Sequence, residues 1–187
     1  MTDSRGPEPS PLDGNVRARL LSDADVSRAL RRMAHEVIER NADVAEVVVL
    51  GIQRGGVDIA RELADLISRY GNVLVRQGTL DVAFFRDDLA DRPVRAVSGT
   101  DIPVDLTDRV VVLVDDVLYT GRTIRAALNA LAEWGRPRAI QLAILVDRGH
   151  RELPVRADFV GKNVPTRRDE SIVATLDGVW IGDGGAA

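Results

Sequence analysis

The stretch that decides the fold is residues 111–123, which read VVLVDDVLYTGRT. Four consecutive apolar residues predict a buried β-strand, and this strand delivers two adjacent carboxylates, Asp115 and Asp116, to its carboxyl end. A short loop with two hydroxyl side chains and Gly121 follows, and the pattern then predicts a helix from Arg122. In an open parallel sheet, ligands bind beyond the carboxyl ends of the strands. The stretch therefore predicts a strand–loop–helix unit that carries a ligand site.

The same stretch has the chemistry of a ribose 5-phosphate site. The N-terminus of the predicted helix offers unpaired N–H groups and the positive end of the helix dipole, and both suit a phosphate. Thr120 and Thr123 can donate hydroxyl hydrogen bonds to it, and Gly121 lets the backbone come close. Asp115 and Asp116 can accept hydrogen bonds from a vicinal diol such as a ribose. An ordinary helix cap would explain Thr120 alone. Burying two consecutive carboxylates at a strand end costs free energy, which is expected only where the carboxylates bind a ligand.

Strands and helices alternate along the rest of the chain. The predicted helices are residues 26–38, 57–70 and 122–134, and the predicted strands are residues 46–50, 72–76, 80–85, 110–114, 139–146, 157–160 and 171–176. This alternation indicates an α/β fold with a mostly parallel sheet flanked by helices. Proline and glycine near both ends predict disordered tails over residues 1–19 and 182–187, which leaves one domain at residues 20–181. No P-loop sequence is present, which argues against a P-loop NTPase.

The composition limits the classes of function. The 187 residues include 25 Lys+Arg and 29 Asp+Glu, for a net charge of −4, and no cysteine. The lack of cysteine excludes a disulfide framework, thiolate metal sites and a cysteine nucleophile. No apolar run approaches the length of a membrane span and no signal-peptide segment follows the start, so we expect a cytoplasmic protein with no membrane partner.

The charges are distributed unevenly. At first sight the acidic balance argues against a nucleic-acid partner. However, 24 of the 25 basic residues are arginine, which binds phosphate in a bidentate manner. A helical wheel for residues 26–38 places Arg28, Arg31, Arg32 and His35 opposite the apolar face, and residues 136–168 contain eight basic against three acidic residues. For a generic protein, a solvated surface would explain both features.

Residues 111–123 resemble the phosphoribosyl-pyrophosphate (PRPP) signature of type I phosphoribosyltransferases. Further segments resemble the PyrR family, the pyrimidine operon regulatory proteins that also act as uracil phosphoribosyltransferases. These segments are RMAHEVIERN from Arg32, FRDDL from Phe85, DIPVDLT from Asp101, GRP from Gly135, VDRGHRELP from Val146 and RADFVGKNVPT from Arg156. The resemblance implies a type I phosphoribosyltransferase fold, with a small hood subdomain formed mainly by residues 147–170.

The resemblance implies the reaction of uracil with PRPP to give UMP and diphosphate, with Mg²⁺ as cofactor. The implied catalytic residues are Asp115, Asp116 and Arg86, the last in a loop that closes over PRPP. Mg²⁺ is expected to bind through substrate oxygens, with Asp115 reaching it only through water. The residues expected to bind PRPP or UMP are Arg54, Gly55, Asp115, Asp116, Val117, Leu118, Tyr119, Thr120, Gly121, Arg122 and Thr123. Those expected to contact the nucleobase are Arg148, Lys162 and Val164.

One segment departs from the family pattern. The pyrophosphate loop of the family resembles Gly-Ile-x-Thr-Arg-Gly, whereas residues 51–56 read GIQRGG, with Arg54 in the place of Thr and Gly55 in the place of Arg. This departure motivates an alternative hypothesis, an RNA-binding nucleotide sensor with weak or lost transferase activity. The substitution Arg54→Thr with Gly55→Arg would recreate the family pattern and test it. A third hypothesis is an enzyme that acts on a purine base and has no RNA role.

The resemblance also implies an RNA partner, the leader mRNA of pyrimidine operons, bound in response to UMP or UTP. Control would act by transcription attenuation or on translation, and no DNA partner is expected. The positions that match the RNA-binding surface of the family are Arg32, His35, His150, Arg151 and Arg156. Replacing Arg151 with Ala is predicted to weaken RNA binding and to leave UMP synthesis nearly intact. The resemblance further implies a homodimer or a larger homo-oligomer.

Overall fold

The computed structural model describes residues 16–83 and 99–184. Within these ranges the chain forms eight strands and three α-helices. In chain order they are β1 (Val16–Ser22), α1 (Asp23–Arg40), β2 (Val47–Ile52), α2 (Gly56–Gly71), β3 (Arg76–Leu80), β4 (Val110–Leu118), α3 (Arg122–Leu131), β5 (Ala139–Asp147), β6 (Phe159–Asn163), β7 (Glu170–Thr175) and β8 (Gly178–Asp183). Arg86 and most of the loop expected around it lie outside the described residues, as do residues 1–15 and 185–187 of the expected tails.

Five strands form a parallel sheet in the order β3-β2-β4-β5-β6. The register places Val48 of β2 opposite Val111 of β4, and Leu113 of β4 opposite Leu142 of β5. All six residues of β2 and the first six of β4 are buried, because helices cover both faces of the sheet. The α/β fold and its mostly parallel sheet are therefore confirmed.

The helices divide the core into two layers. Helices α1 and α2 pack on one face of the sheet through residues such as Leu30, Met33 and Leu63, and α3 packs on the other face through Ile124 and Leu131. The side chain of Ser22 accepts the N–H of Asp25 in a capping box that starts α1. In the ranges that the structure covers, no helix combines the length and the apolar character needed to cross a membrane.

The hood is built differently from the prediction. Strands β1, β8 and β7 form a separate antiparallel sheet, in which Val16 pairs with Gly182 and Ile172 with Ile181. Within residues 147–170, β6 instead joins the parallel sheet beside β5. The expected boundaries at residues 20 and 181 were also too narrow, since β1 begins at Val16 and β8 ends at Asp183. Strand β1 is stabilised by β8, about 160 residues further along the chain, and a local pattern does not reveal such a partner.

Two strand predictions around residues 72–85 were wrong. The strand expected at residues 72–76 lies at Arg76–Leu80, because α2 continues to Gly71 and Asn72 ends it in the left-handed conformation, with a φ of 49°. Residues 81–83 do not continue that strand; beyond the undescribed segment, Asp101 returns to pair with Thr79. Helix α3 also ends three residues before its predicted end, at Leu131.

Candidate active site

The carboxyl ends of β2 and β4 meet at one edge of the parallel sheet. The turn after β2 runs over the end of β4 so closely that a Cβ atom on Gly55 would stand 2.2 Å from Asp116 Oδ2. A Cβ atom on Gly56 would stand 2.2 Å from the carbonyl oxygen of Val114. Glycine at both positions therefore allows the backbone of the candidate pyrophosphate loop to lie against the acidic end of β4. Arg54, the preceding residue, is exposed at this edge.

The two carboxylates of β4 are held by backbone N–H groups. Asp115 is only 6% exposed, and its Oδ1 accepts the N–H of Asp116 at 3.1 Å. Asp116 is half-buried, and its Oδ1 accepts the N–H of Val117 at 2.8 Å. Hydrogen bonds from fixed backbone donors limit the rotation of a carboxylate. The structure therefore presents two oriented carboxylates where the sequence predicts the ribose hydroxyls to bind.

The loop after β4 (residues 119–121), the phosphate loop, is where the sequence predicts the 5′-phosphate to bind. Gly121 stands at the N-cap of α3 with a φ of +93°, a conformation that favours glycine. The carbonyl oxygen of Thr120 accepts the N–H groups of Glu152 and Leu153 at 3.0 and 3.2 Å. The guanidinium of Arg122 donates twice to the carboxylate of Glu152, at 2.9 and 2.8 Å. The segment after β5 thus braces the loop, and the Arg122 side chain pairs with Glu152.

Arg151 also braces this loop. Its guanidinium donates to the carbonyl oxygens of Tyr119 and Val155, at 3.0 and 3.1 Å, and forms an ion pair with Asp147. The Arg151 side chain is only 22% exposed. The prediction that an Arg151→Ala substitution would affect RNA binding alone does not fit this arrangement, because the guanidinium supports the phosphate loop from inside.

A depression of about 300 Å³ opens beside the carboxyl ends of β5 and β6. Its lining residues are Asp147, Arg148, Gly149, His150, Asn163, Pro165 and Thr166. Of the three residues predicted to contact the nucleobase, Arg148 lines the depression, and Lys162 and Val164 do not. Lys162 is exposed on β6, and the N–H of Val164 donates to the carbonyl oxygen of Asp147 at 2.8 Å.

Arg148 is a buried cation, with 7% of the residue exposed. Its Nη2 donates to the carbonyl oxygens of Arg167 and Glu170 at 2.9 and 2.7 Å, and its Nε donates to Thr166 Oγ1 at 3.0 Å. Its guanidinium carbon lies 4.1 Å from the centroid of the Tyr119 ring, a cation–π contact. Burial lowers the pKa of this guanidinium, but arginine remains protonated in proteins. Arg148 therefore links the floor of the depression to the phosphate loop.

The five residues predicted to bind RNA lie on helix α1 and on the segment between β5 and β6. They are Arg32, His35, His150, Arg151 and Arg156. Arg32 and His35 are exposed on α1, and Arg32 donates to the carbonyl oxygens of Val160 and Gly161 on the edge strand β6, at 2.8 and 2.7 Å. His150 follows β5 and is half-buried, and Arg156 is exposed before β6. The structure thus joins two of the five on one helix face and turns Arg151 inward.

Several residues that shape the site were not singled out in the sequence. Glu152 braces the phosphate loop, Asn163 and Thr166 line the depression, and Glu170 accepts from Arg148 through its carbonyl oxygen. The signal that could have found them is their position, since they lie at or after the carboxyl ends of β5 and β6. Ligand-binding residues of parallel sheets concentrate there.

Comparison with known proteins defines the class of protein to which the chain belongs. The profile of the Phosphoribosyl transferase domain family matches residues 18–175. The hypoxanthine phosphoribosyltransferase of Staphylococcus aureus superposes with a TM-score of 0.68 at 17% identity, over 95% of this chain and 98% of that one. The corresponding enzyme of Trypanosoma cruzi gives a TM-score of 0.69 at 16% identity, over 91% and 98%. At these identities the likeness shows the fold alone. The fold is that of the type I phosphoribosyltransferases.

Closer relatives narrow the class to one family. The Bifunctional protein PyrR of Herpetosiphon aurantiacus is 57% identical over 158 residues, which cover 84% of this chain and 89% of the relative. That of Roseiflexus sp. is 56% identical over 171 residues, with 87% and 93% covered. That of Bacillus subtilis is 49% identical over 170 residues, with 88% and 93% covered. The chain belongs to the PyrR family, which confirms the resemblance drawn from its motifs.

Proposed function

We propose that this protein is bifunctional. It transfers the phosphoribosyl group of PRPP to uracil, giving UMP and diphosphate, and it binds pyrimidine-operon leader mRNA in response to UMP or UTP. Its relatives carry the name bifunctional. The observation that carries the transferase half is the meeting of the Gly55 turn, the carboxylates of Asp115 and Asp116, and the loop at Thr120 and Gly121 along one sheet edge. We also propose a cytoplasmic location and a homo-oligomeric state.

The rate of the reaction depends more on the positioning of PRPP and uracil than on acid–base chemistry. The bond between ribose C1 and the diphosphate oxygen breaks as the bond from C1 to uracil N1 forms, and C1 becomes cation-like in between. The proton of uracil N1 passes to water or to the departing diphosphate. Catalysis is then positioning and charge stabilisation. Asp115 and Asp116 accept hydrogen bonds from the ribose hydroxyls, and the N-terminus of α3 with Thr120 holds the 5′-phosphate. The turn at Arg54 and Gly55 holds the diphosphate.

Mg²⁺ fits this donor set. Carboxylate oxygens are hard ligands, and Mg²⁺ binds through one or two carboxylates together with substrate phosphates and water. Among residues 16–83 and 99–184, no group of three or more His, Cys, Asp or Glu side chains is arranged to hold a metal ion. Asp115 and Asp116 would therefore hold Mg²⁺ only together with PRPP. When bound, the ion neutralises charge on the departing diphosphate.

The test of the transferase half is formation of UMP from labelled uracil and PRPP with Mg²⁺, and hypoxanthine serves as the competing base. Turnover of uracil alone is the expected result. Turnover of hypoxanthine instead would favour the purine enzyme without an RNA role. No turnover of either base at high substrate concentration would contradict the transferase assignment.

The RNA half is tested by filter binding of a pyrimidine-leader hairpin with and without UMP. Binding that strengthens with UMP is expected, because the proposed regulation responds to the nucleotide. A hairpin with a scrambled loop is the control, since RNA modules read sequence in unpaired loops. Equal binding of the two hairpins would contradict specific recognition.

The second candidate is an RNA-binding nucleotide sensor with weak transferase activity, which the sequence Gln53-Arg54-Gly55 motivates. The structure affects how this is tested, because a side chain at residue 55 would collide with the Asp116 carboxylate. The double substitution that recreates the family pattern would therefore disturb Asp116 itself. Arg54→Thr alone is the cleaner variant: a large gain in UMP formation would favour the sensor, and an already efficient parent would refute it.

A further inference from the structure

An exposed ring stack joins α1 to α2. The rings of His35 and Tyr70 lie 4.5 Å apart with an interplanar angle of 11°. Both residues are exposed, and Tyr70 is 38% exposed. The near-parallel arrangement fixes the direction of both ring faces at the protein surface. The transferase site does not use either residue.

Exposed arginines and one exposed carboxylate, that of Glu39 one helical turn after His35, lie near this stack along α1 and α2. Arg31 lies one helical turn before His35, on the same side of α1, and its guanidinium donates to the hydroxyl of Ser27 at 3.0 Å. Arg32 pairs with Glu36, and Arg69 is exposed next to Tyr70 in the last turn of α2. The charge of Arg31 is thus not neutralised by its hydrogen-bond partner. Guanidinium groups beside a flat aromatic surface suit a ligand that carries both phosphates and rings.

We propose that the His35–Tyr70 stack is a platform on which an unpaired base of the bound RNA stacks, with Arg31 and Arg69 contacting the neighbouring phosphates. The inference rests on the proposed RNA binding and adds Tyr70, Arg31 and Arg69 to its surface. Sequence-specific RNA recognition uses splayed bases that stack on aromatic side chains. Two rings that already stack on each other are pre-organised, so a third ring continues the stack without reordering them.

The experiment uses the full chain and a pyrimidine-leader hairpin in which each loop purine in turn is replaced by 2-aminopurine. Tyr70→Leu removes the ring and retains apolar cover over the helices, whereas Tyr70→Phe retains the ring. Trp134→Leu is the matched control, because Trp134 is 43% exposed and follows α3 on the opposite face of the sheet. Melting temperature, UMP synthesis and oligomeric state are measured for each variant.

Tyr70→Leu is expected to weaken RNA binding about tenfold and to abolish quenching of one 2-aminopurine. Its salt dependence should match that of the parent, because a stacked base releases no counterion. Tyr70→Phe and Trp134→Leu should bind as the parent does, and UMP synthesis should not change in any of the three.

Two results would overturn the platform but not the proposed RNA binding. In the first, the parent binds the hairpin and Tyr70→Leu binds it with an affinity within twofold of the parent's. In the second, Tyr70→Leu loses self-association together with RNA binding. The second result would make the stack an interface between copies of the chain. A parent that does not bind the hairpin would overturn the proposed RNA function, and the platform with it.

Discussion

The backbone of Gly55 lies directly against the carboxylate of Asp116, so that a Cβ atom at residue 55 would stand 2.2 Å from Oδ2. This contact joins the end of β2 to the end of β4. Because Asp116 is also held by the N–H of Val117, its carboxylate has little room to move away. A side chain at position 55 therefore displaces a group that the proposed reaction needs in one place.

Gly55→Ala should lower kcat/KM for PRPP by roughly 100-fold, since small misplacements of catalytic groups have effects of that size. The melting temperature should change little, because residue 55 is exposed. Gly99→Ala is the matched control, since no atom of residues 16–83 or 99–184 lies within 4 Å of a Cβ atom there. An unchanged kcat/KM in Gly55→Ala would show that the turn relaxes away from Asp116.

Asp116→Asn should reduce UMP formation by about 100-fold, because the amide removes negative charge beside the cation-like ribose. Asp108→Asn, at an exposed loop position before β4, is the control and should retain full activity. The measurement is the initial rate at saturating uracil with PRPP and Mg²⁺ varied. Activity of Asp116→Asn close to that of the parent would remove this carboxylate from the mechanism.

Arg151→Ala should impair both functions. The variant leaves the carbonyl oxygens of Tyr119 and Val155 without a donor and Asp147 without its partner, so unfolding should require about 2 kcal/mol less free energy. UMP synthesis should fall with it, because the phosphate loop loses its brace.

The exposed Arg156→Ala is the comparison for Arg151→Ala, and we expect it to weaken RNA binding alone. Urea denaturation, the UMP assay and filter binding measure the three effects. If Arg151→Ala lost RNA binding alone, Arg151 would be assigned to the RNA-binding surface, as the sequence predicts, and not to the support of the loop after β4.

Glu170 makes stability depend on pH. Hydrogen bonds from the N–H of Arg167 and from the Arg17 side chain hold the pKa of this carboxyl below its ordinary value. A carboxyl whose folded-state pKa is lowered stabilises the fold above its unfolded pKa, and this contribution is lost as the pH falls towards the folded value. The melting temperature of Glu170→Gln should be below that of the parent at pH 7, and the difference should shrink below about pH 4. A difference that stays constant from pH 7 to pH 3 would contradict this assignment.

Local signals predicted the centre of the fold. The apolar run and acidic end of β4 were sufficient to place Asp115, Asp116 and the start of α3, since each part follows from neighbouring residues. The capping box at the start of α1 is a local feature of the same kind, since it joins Ser22 to Asp25 three residues later. Strand β1 was missed because its partner β8 lies about 160 residues further along the chain. The strand–loop–helix unit at residues 111–123 was predicted, but the inward turn of Arg151 was not, because it depends on a carbonyl group about 30 residues earlier.

The make-up of the hood has a consequence for synthesis on the ribosome. Strand β1 is made before its partner β8, so Val16 cannot pair with Gly182 until about 160 further residues have been added. Strands β2 to β6 are complete by residue 163, so the parallel sheet can form while β1 is still unpaired. Glu170, whose carbonyl oxygen holds Arg148, arrives with the same late hairpin. Strands β7 and β8 therefore close the hood after the parallel sheet has formed, and the carbonyl oxygen of Glu170 completes the floor of the depression.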